Sequence, residues 1–129
     1  MTDEEFNTFC ASLPASTHVV QWGGSDVWKV GGKVFAIGGW GQNGNLAFSF
    51  KTSPLNFDIL RDEPGFRPAP YLASRGFKWI QLYAQTGKPD DELRYYLSES
   101  HRLVAEGLSK KRQRELGVLA NVSSHETVV

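Results

Sequence analysis

The sequence predicts an α+β domain: a single two-layer sandwich whose antiparallel sheet carries the N- and C-terminal helices on one face. Three observations lead there. Both ends of the chain hold amphipathic segments with acidic starts, Thr2-Asp3-Glu4-Glu5 and Pro89-Asp90-Asp91-Glu92. Between them lie β-prone runs punctuated by glycines. No alternation of strand and helix patterns occurs, and a parallel sheet would need the crossovers that such alternation supplies. At 129 residues and 40% hydrophobic content, one domain with a proper core is expected. Residues 1–117 form it, and 118–129 read as a polar, flexible tail.

Each element follows from its residues. Thr2 and Glu5 make a capping box, and the acids suit the positive end of the helix. Phe6, Phe9, Cys10 and Leu13 then recur at helical spacing, and Pro14 ends the run. His18–Trp22 is a first strand, with a turn at Gly23–Asp26. Val27–Val30 and Lys33–Ile37 flank Gly31-Gly32, a hairpin signal, since primed turns need positive φ at both central residues. A glycine-rich loop with Asn43-Gly44 follows. In the next strand Leu46, Phe48 and Phe50 face the core, while Ala47, Ser49 and Lys51 face the other way. Ser53-Pro54 opens a short helix to about Arg61, with Leu55, Ile59 and, less centrally, Leu60 inward. Pro64–Tyr71 is a stiff extended loop, because prolines exclude helix there. Phe77–Tyr83 is the last strand. The final helix buries Leu93, Tyr96, Leu97, Ser100, Leu103, Val104 and Leu108.

The totals exclude several classes. One cysteine, Cys10, allows no intramolecular disulfide and no cysteine-rich metal site. It lies on the buried face of the first helix and reads as a core residue. The acidic start is no signal peptide, and no run approaches the roughly 18 apolar residues of a membrane span. A cytoplasmic protein without membrane contact is expected, and a monomer. Gly39-Trp40-Gly41-Gln42-Asn43-Gly44 matches a dinucleotide string, but a strand follows where that mechanism needs a helix N-terminus. His18, His101 and His125 have no second ligand at metal spacing, and His101 reads as a core-edge residue. No nucleophile–base pair stands out. No metal, no cofactor and no catalysis are expected.

Charge is more informative by segment than in total. Fourteen basic groups balance fourteen acidic ones. Residues 1–50 carry net −2, 51–88 net +3, 89–108 net −3 and 109–129 net +2. Lys29, Lys33, Lys51, Arg67, Arg75 and Lys78 fall on strands, hairpin ends or the proline-rich loop, interleaved with Trp28, Tyr71, Phe77 and Trp79. Basic groups beside aromatics suit nucleic acid. Zero net charge favours the plainer account, a solvated mixed-charge surface over core aromatics. The run Lys110–Arg114 suits either phosphates or the negative end of the preceding helix.

The segments Asp26–Ala36 (containing Lys29-Val30-Gly31-Gly32-Lys33), Phe48–Lys51, Pro64-Gly65-Phe66-Arg67-Pro68-Ala69-Pro70-Tyr71-Leu72 and Ser98–Val104 together resemble the MmcQ/YjbR family. The resemblance spans roughly residues 3–117. Members often have proline at the position of Ser109. It implies a CyaY-like, frataxin-like α+β fold in small bacterial cytoplasmic proteins, labelled DNA-binding for a double-wing motif. The wings would be the hairpins around Gly31-Gly32 and Asn43-Gly44, and the phosphate contacts Lys29, Lys33, Lys51, Arg67, Arg75 and Lys78. Frataxin's iron function is not implied. The expected function is DNA binding of modest affinity. The alternative is a protein-interaction or small anionic-ligand module, its groove formed by the Arg67–Tyr71 loop with Arg67, Tyr71 and Trp79.

Overall fold

The computed structural model describes residues 1–39, 47–70, 72–84 and 90–118. The chain begins with helix α1, Asp3–Ser12. Its capping box is formed: the Glu5 N–H donates to Thr2 Oγ1 at 3.0 Å, and the Thr2 N–H donates to Glu5 Oε1 at 2.8 Å. Strands β1 (Ser16–Gln21), β2 (Ser25–Val30), β3 (Lys33–Gly38) and β4 (Phe48–Lys51) follow. Helix α2 (Pro54–Leu60), strand β5 (Phe66–Pro68), a 3-10 turn (Ala73–Arg75) and strand β6 (Trp79–Leu82) come next. Helices α3 (Asp90–Glu106) and α4 (Lys110–Leu116) complete the described chain.

The strands form one antiparallel sheet in the order β1-β2-β3-β4-β6-β5. Helices α1 and α3 lie on one face of it. The Gly31-Gly32 turn has φ of +58° and +81°, as a primed hairpin requires. Trp28 pairs with Ala36 and Lys29 with Val34, which leaves Phe35 as a bulge in β3. The bulge sends both Phe35 and Ala36 into the main core. There Phe6 stacks on Phe48 at 4.6 Å, and Gly38 makes room for it: a Cβ would stand 2.8 Å from Phe6 Cε2.

Ser100 fastens α3 to the sheet. Its buried Oγ accepts from the Lys51 N–H at 2.8 Å and donates to the Phe35 carbonyl at 2.6 Å. It thereby takes the place of a ladder bond where β3 and β4 part. His101 is buried, edge-on to Phe35, with its Nε2 donating to the Pro14 carbonyl at 2.7 Å. Cys10 is fully buried in the same core, and burial pushes its thiol pKa far up.

Several expectations need correction. Leu55 and Ile59 are 69% and 48% exposed; Leu60 is buried as expected, and Phe57 is buried with it. Two apolar stripes compete within seven residues, and the one holding the larger aromatic packs inward. The Pro64–Tyr71 segment is not all loop, because Phe66–Pro68 is an edge strand on β6. The extended geometry that proline imposes is strand geometry, and its missing N–H is tolerated at an edge. Trp22 is not in the first strand: it begins the turn, with a left-handed φ of +53°. The face opposite the helices is also partly covered, because Ile37, Ala69 and Trp79 form a second small cluster there. Ser49, which pairs with Ile37 on that face, is fully buried.

The basic run forms a helix of its own, α4. Ser109 caps it, accepting from the Arg112 N–H at 3.1 Å. At φ −61° and ψ 153° its backbone is one proline adopts readily, so either residue can start this helix. The end of α3 is satisfied by Gln113 rather than by a cation. Its Nε2 donates to the carbonyls of Glu106 (3.3 Å) and Leu108 (2.7 Å). Val118 packs on the main core, and the rest of the expected tail lies outside the described residues. Among the described residues, no helix is long and apolar enough to cross a membrane.

Candidate nucleic-acid interface

Strand alternation and register place the sheet-borne cations. Trp28, Phe50 and Phe66 point into the main core, so their neighbours Lys29, Lys51 and Arg67 belong to the opposite face. Lys29 lies beside Val34, and Lys51 beside Trp79. Both are half-buried along their stems. Arg67 is anchored: its Nε donates to Gln81 Oε1 at 2.8 Å, and its guanidinium lies 4.9 Å from the Tyr83 ring centroid. The three stems rim the second cluster. Lys33 is exposed at the hairpin end of β3.

The other two expected cations lie elsewhere. Arg75 closes the 3-10 turn and is exposed. Lys78 precedes Trp79 and so points the opposite way, its Nζ 4.9 Å from the Phe57 ring centroid. The six groups therefore do not share one face. The Asn43-Gly44 wing lies outside the described residues, as does Tyr71. Trp79 is buried in the second cluster with Ala69. What the loop does border is a cleft of about 470 Å³ between α2 and the segment after β5, lined by Phe57, Arg61, Pro68, Pro70, Phe77 and Lys78 among others. Arg61, 5.3 Å from the Phe57 centroid, was not singled out from sequence. Its signal is the four-residue spacing from Phe57, which puts both on one helix face.

A polar cluster at the corner of α1, β1 and β2 is structural. Trp28 Nε1 donates to Asn7 Oδ1 at 2.9 Å, and Asn7 Nδ2 donates to Asp26 Oδ2 at 3.2 Å. His18 Nε2 lies 2.8 Å from Asp26 Oδ1. Burial works to raise the Asp26 pKa, yet the bonds to His18 and Asn7 prevail and hold it below the usual carboxylate value. Asp3 is shifted upward, by burial first and then by the charge of Asp26. Among the described residues, no three His, Cys, Asp or Glu side chains gather as metal ligands.

A family model described as YjbR matches residues 11–103, with every one of the six cations inside the match. The chain belongs to the YjbR family. A Deinococcus radiodurans protein, DR2400, described as a DUF419 domain, is 26% identical in its crystal structure. The match covers 91% of this chain and 88% of that one, with a TM-score of 0.77. A Pseudomonas syringae protein of known crystal structure is 18% identical over 81% of this chain and 99% of its own, with a TM-score of 0.66, and shows the same fold. No curated protein matches at a significant level. The YjbR match stops before α4, whereas the Deinococcus alignment extends over most of the chain. The Gly31-Gly32 hairpin and the strand-borne cations thus belong to the YjbR region itself.

Proposed function

We propose that this YjbR-family chain binds duplex DNA through its phosphates, with modest affinity and without sequence preference, and that it binds rather than catalyses. The placement of Lys29, Lys51 and Arg67 on one face of a rigid sheet carries the reading. Lys29 and Lys51 stand two strands apart, and so do Lys51 and Arg67, a lateral step of roughly 10 Å. That is commensurate with duplex grooves of about 6 and 12 Å. Lys33 does not extend the line: it pairs with the core residue Val30 and so belongs to the helix side at the hairpin end. Three cations of α3 and α4 are engaged: Arg94 with Asp91, Arg102 with Glu99 and Glu106, and Arg112 with Glu115. Among the described residues Lys29, Lys51 and Arg67 have no such carboxylate partner.

Fluorescence anisotropy with labelled duplexes of several sequences tests this. Saturable binding is expected at low salt, similar for every sequence. Lys29→Ala combined with Lys51→Ala is expected to weaken all of them alike, by about tenfold or more. Absence of saturable binding at low salt, or a double variant that binds as the parent does, would sink the reading.

A further inference from the structure

We propose that the cleft between α2 and the segment after β5 binds a small organic anion, an oxyanion head on a flat apolar body. Arg61 and Lys78 converge on one buried ring. The Arg61 guanidinium carbon is 5.3 Å and Lys78 Nζ 4.9 Å from the Phe57 centroid. By that geometry the two cationic centres lie within about 10 Å of each other. No carboxylate is among the residues lining the cleft. Asp58 stands one turn before Arg61 on α2, yet among the described residues neither cation has a salt-bridge partner. Two like charges held together beside apolar walls repel each other and focus a positive field into the cleft. An anion between them relieves both. Arg61 offers a planar fork suited to a carboxylate or phosphate, and Lys78 a point charge beside it.

The remaining walls define the rest of the ligand. Phe57, Pro68, Pro70 and Phe77 present apolar surface and offer no charge. The volume, about 470 Å³, falls within the range of small-molecule sites. A bare inorganic ion would leave those walls wet, whereas an aryl phosphate or aryl carboxylate covers them. The site is separate from the DNA reading, because neither of its cations lies on the Lys29–Lys51–Arg67 face.

Phenyl phosphate is the probe, followed by amide chemical shifts and by thermal melting. Saturable binding is expected, with shifts concentrated at Phe57, Arg61, Ala69, Ala73 and residues 76–78. Inorganic phosphate is expected to bind at least about tenfold more weakly. Arg61→Met with Lys78→Met keeps the stems that pack near the ring and removes both charges. It is expected to lower phenyl phosphate affinity by about tenfold or more without moving the melting point of the free protein. Lys78→Gln alone serves as a second, milder variant with a smaller loss in the same direction. Lys29→Ala with Lys51→Ala is expected to leave probe binding unchanged whatever becomes of DNA binding. Unsaturable binding at millimolar probe, shifts centred elsewhere, equal affinity for inorganic phosphate, or full affinity in the charge-free variant would overturn the proposal.

Discussion

His101 packs an imidazole against the main core and, among the described residues, makes one polar contact, its bond to the Pro14 carbonyl. Burial pushes its pKa below the ordinary 6.5, against a weaker upward pull from that bond. The folded chain therefore holds a neutral ring where the unfolded chain would take a proton. Below pH 6.5 the unfolded state binds more protons, so the stability due to the neutral ring is complete above that value and declines as pH falls. The melting temperature is expected to drop between pH 7 and 5.5. His101→Gln keeps a donor for Pro14 and removes the titration, so its melting temperature should change less over that interval. An equal drop in the variant would assign the acid sensitivity to other groups. Cys10 shows the same burial acting on a different group: a fully enclosed thiol with a raised pKa is a packing residue, as its helical spacing with Phe6 indicated.

Among the elements, the β2–β3 hairpin separates backbone strain from packing. Gly31 and Gly32 both have positive φ, but their surroundings differ. A Cβ on Gly31 would stand 2.6 Å from Leu108 Cδ1 and 3.2 Å from Leu116 Cδ1, whereas one on Gly32 would meet nothing within 4 Å. Gly32→Ala is expected to lose roughly 1–2 kcal/mol, the strain of a left-handed alanine. Gly31→Ala should lose more, by up to about 1 kcal/mol, since the tip of the Leu108 side chain must also swing aside. Equal losses in chemical denaturation would mean that the Leu108 side chain yields without resistance. This hairpin was legible because two adjacent glycines between β-prone runs admit few alternatives. The buried face of α2 was not, since Leu55/Ile59 and Phe57/Leu60 are both helically spaced and only tertiary contact chooses between them. The β5 strand was hidden because proline signals extended backbone without naming a partner. Helix α4 had a readable cap in Ser109, but its docking depends on Gln113 reaching the end of α3, and nothing local specifies that. The candidate interface divides along the same line. Local alternation puts Trp28 in and Lys29 out, Phe50 in and Lys51 out. The side on which Lys78 falls depends on the pairing of β6 with β4, a register between distant segments.

Across the whole molecule, zero net charge is a difference between two layers. The helix layer carries Asp3, Glu4 and Glu5 in the first turn of α1 and Asp90, Asp91 and Glu92 in that of α3. Asp26, which pairs across from Gly38, also faces that side. Lys29, Lys51 and Arg67 occupy the other face. A charge total cannot register such a division, because opposite signs on opposite faces cancel in the sum and not in the field a ligand meets. The division also limits affinity. In the one-face account the sheet face neutralises the phosphates, while the acidic first turns of α1 and α3 repel a duplex that tries to wrap. Three phosphate contacts give a slope of log affinity against log salt of about −2.7, at about 0.9 per contact on B-DNA. Removing Lys29 and Lys51 together is expected to reduce that slope by about 2, because each released one counterion equivalent. A parent slope near zero would mean that phosphates are not the contact. A slope far steeper than about −2.7 would mean that cations outside the sheet face, Arg75 or the α4 run, also touch the duplex, and the one-face account would then have to give way to one in which DNA spans both layers.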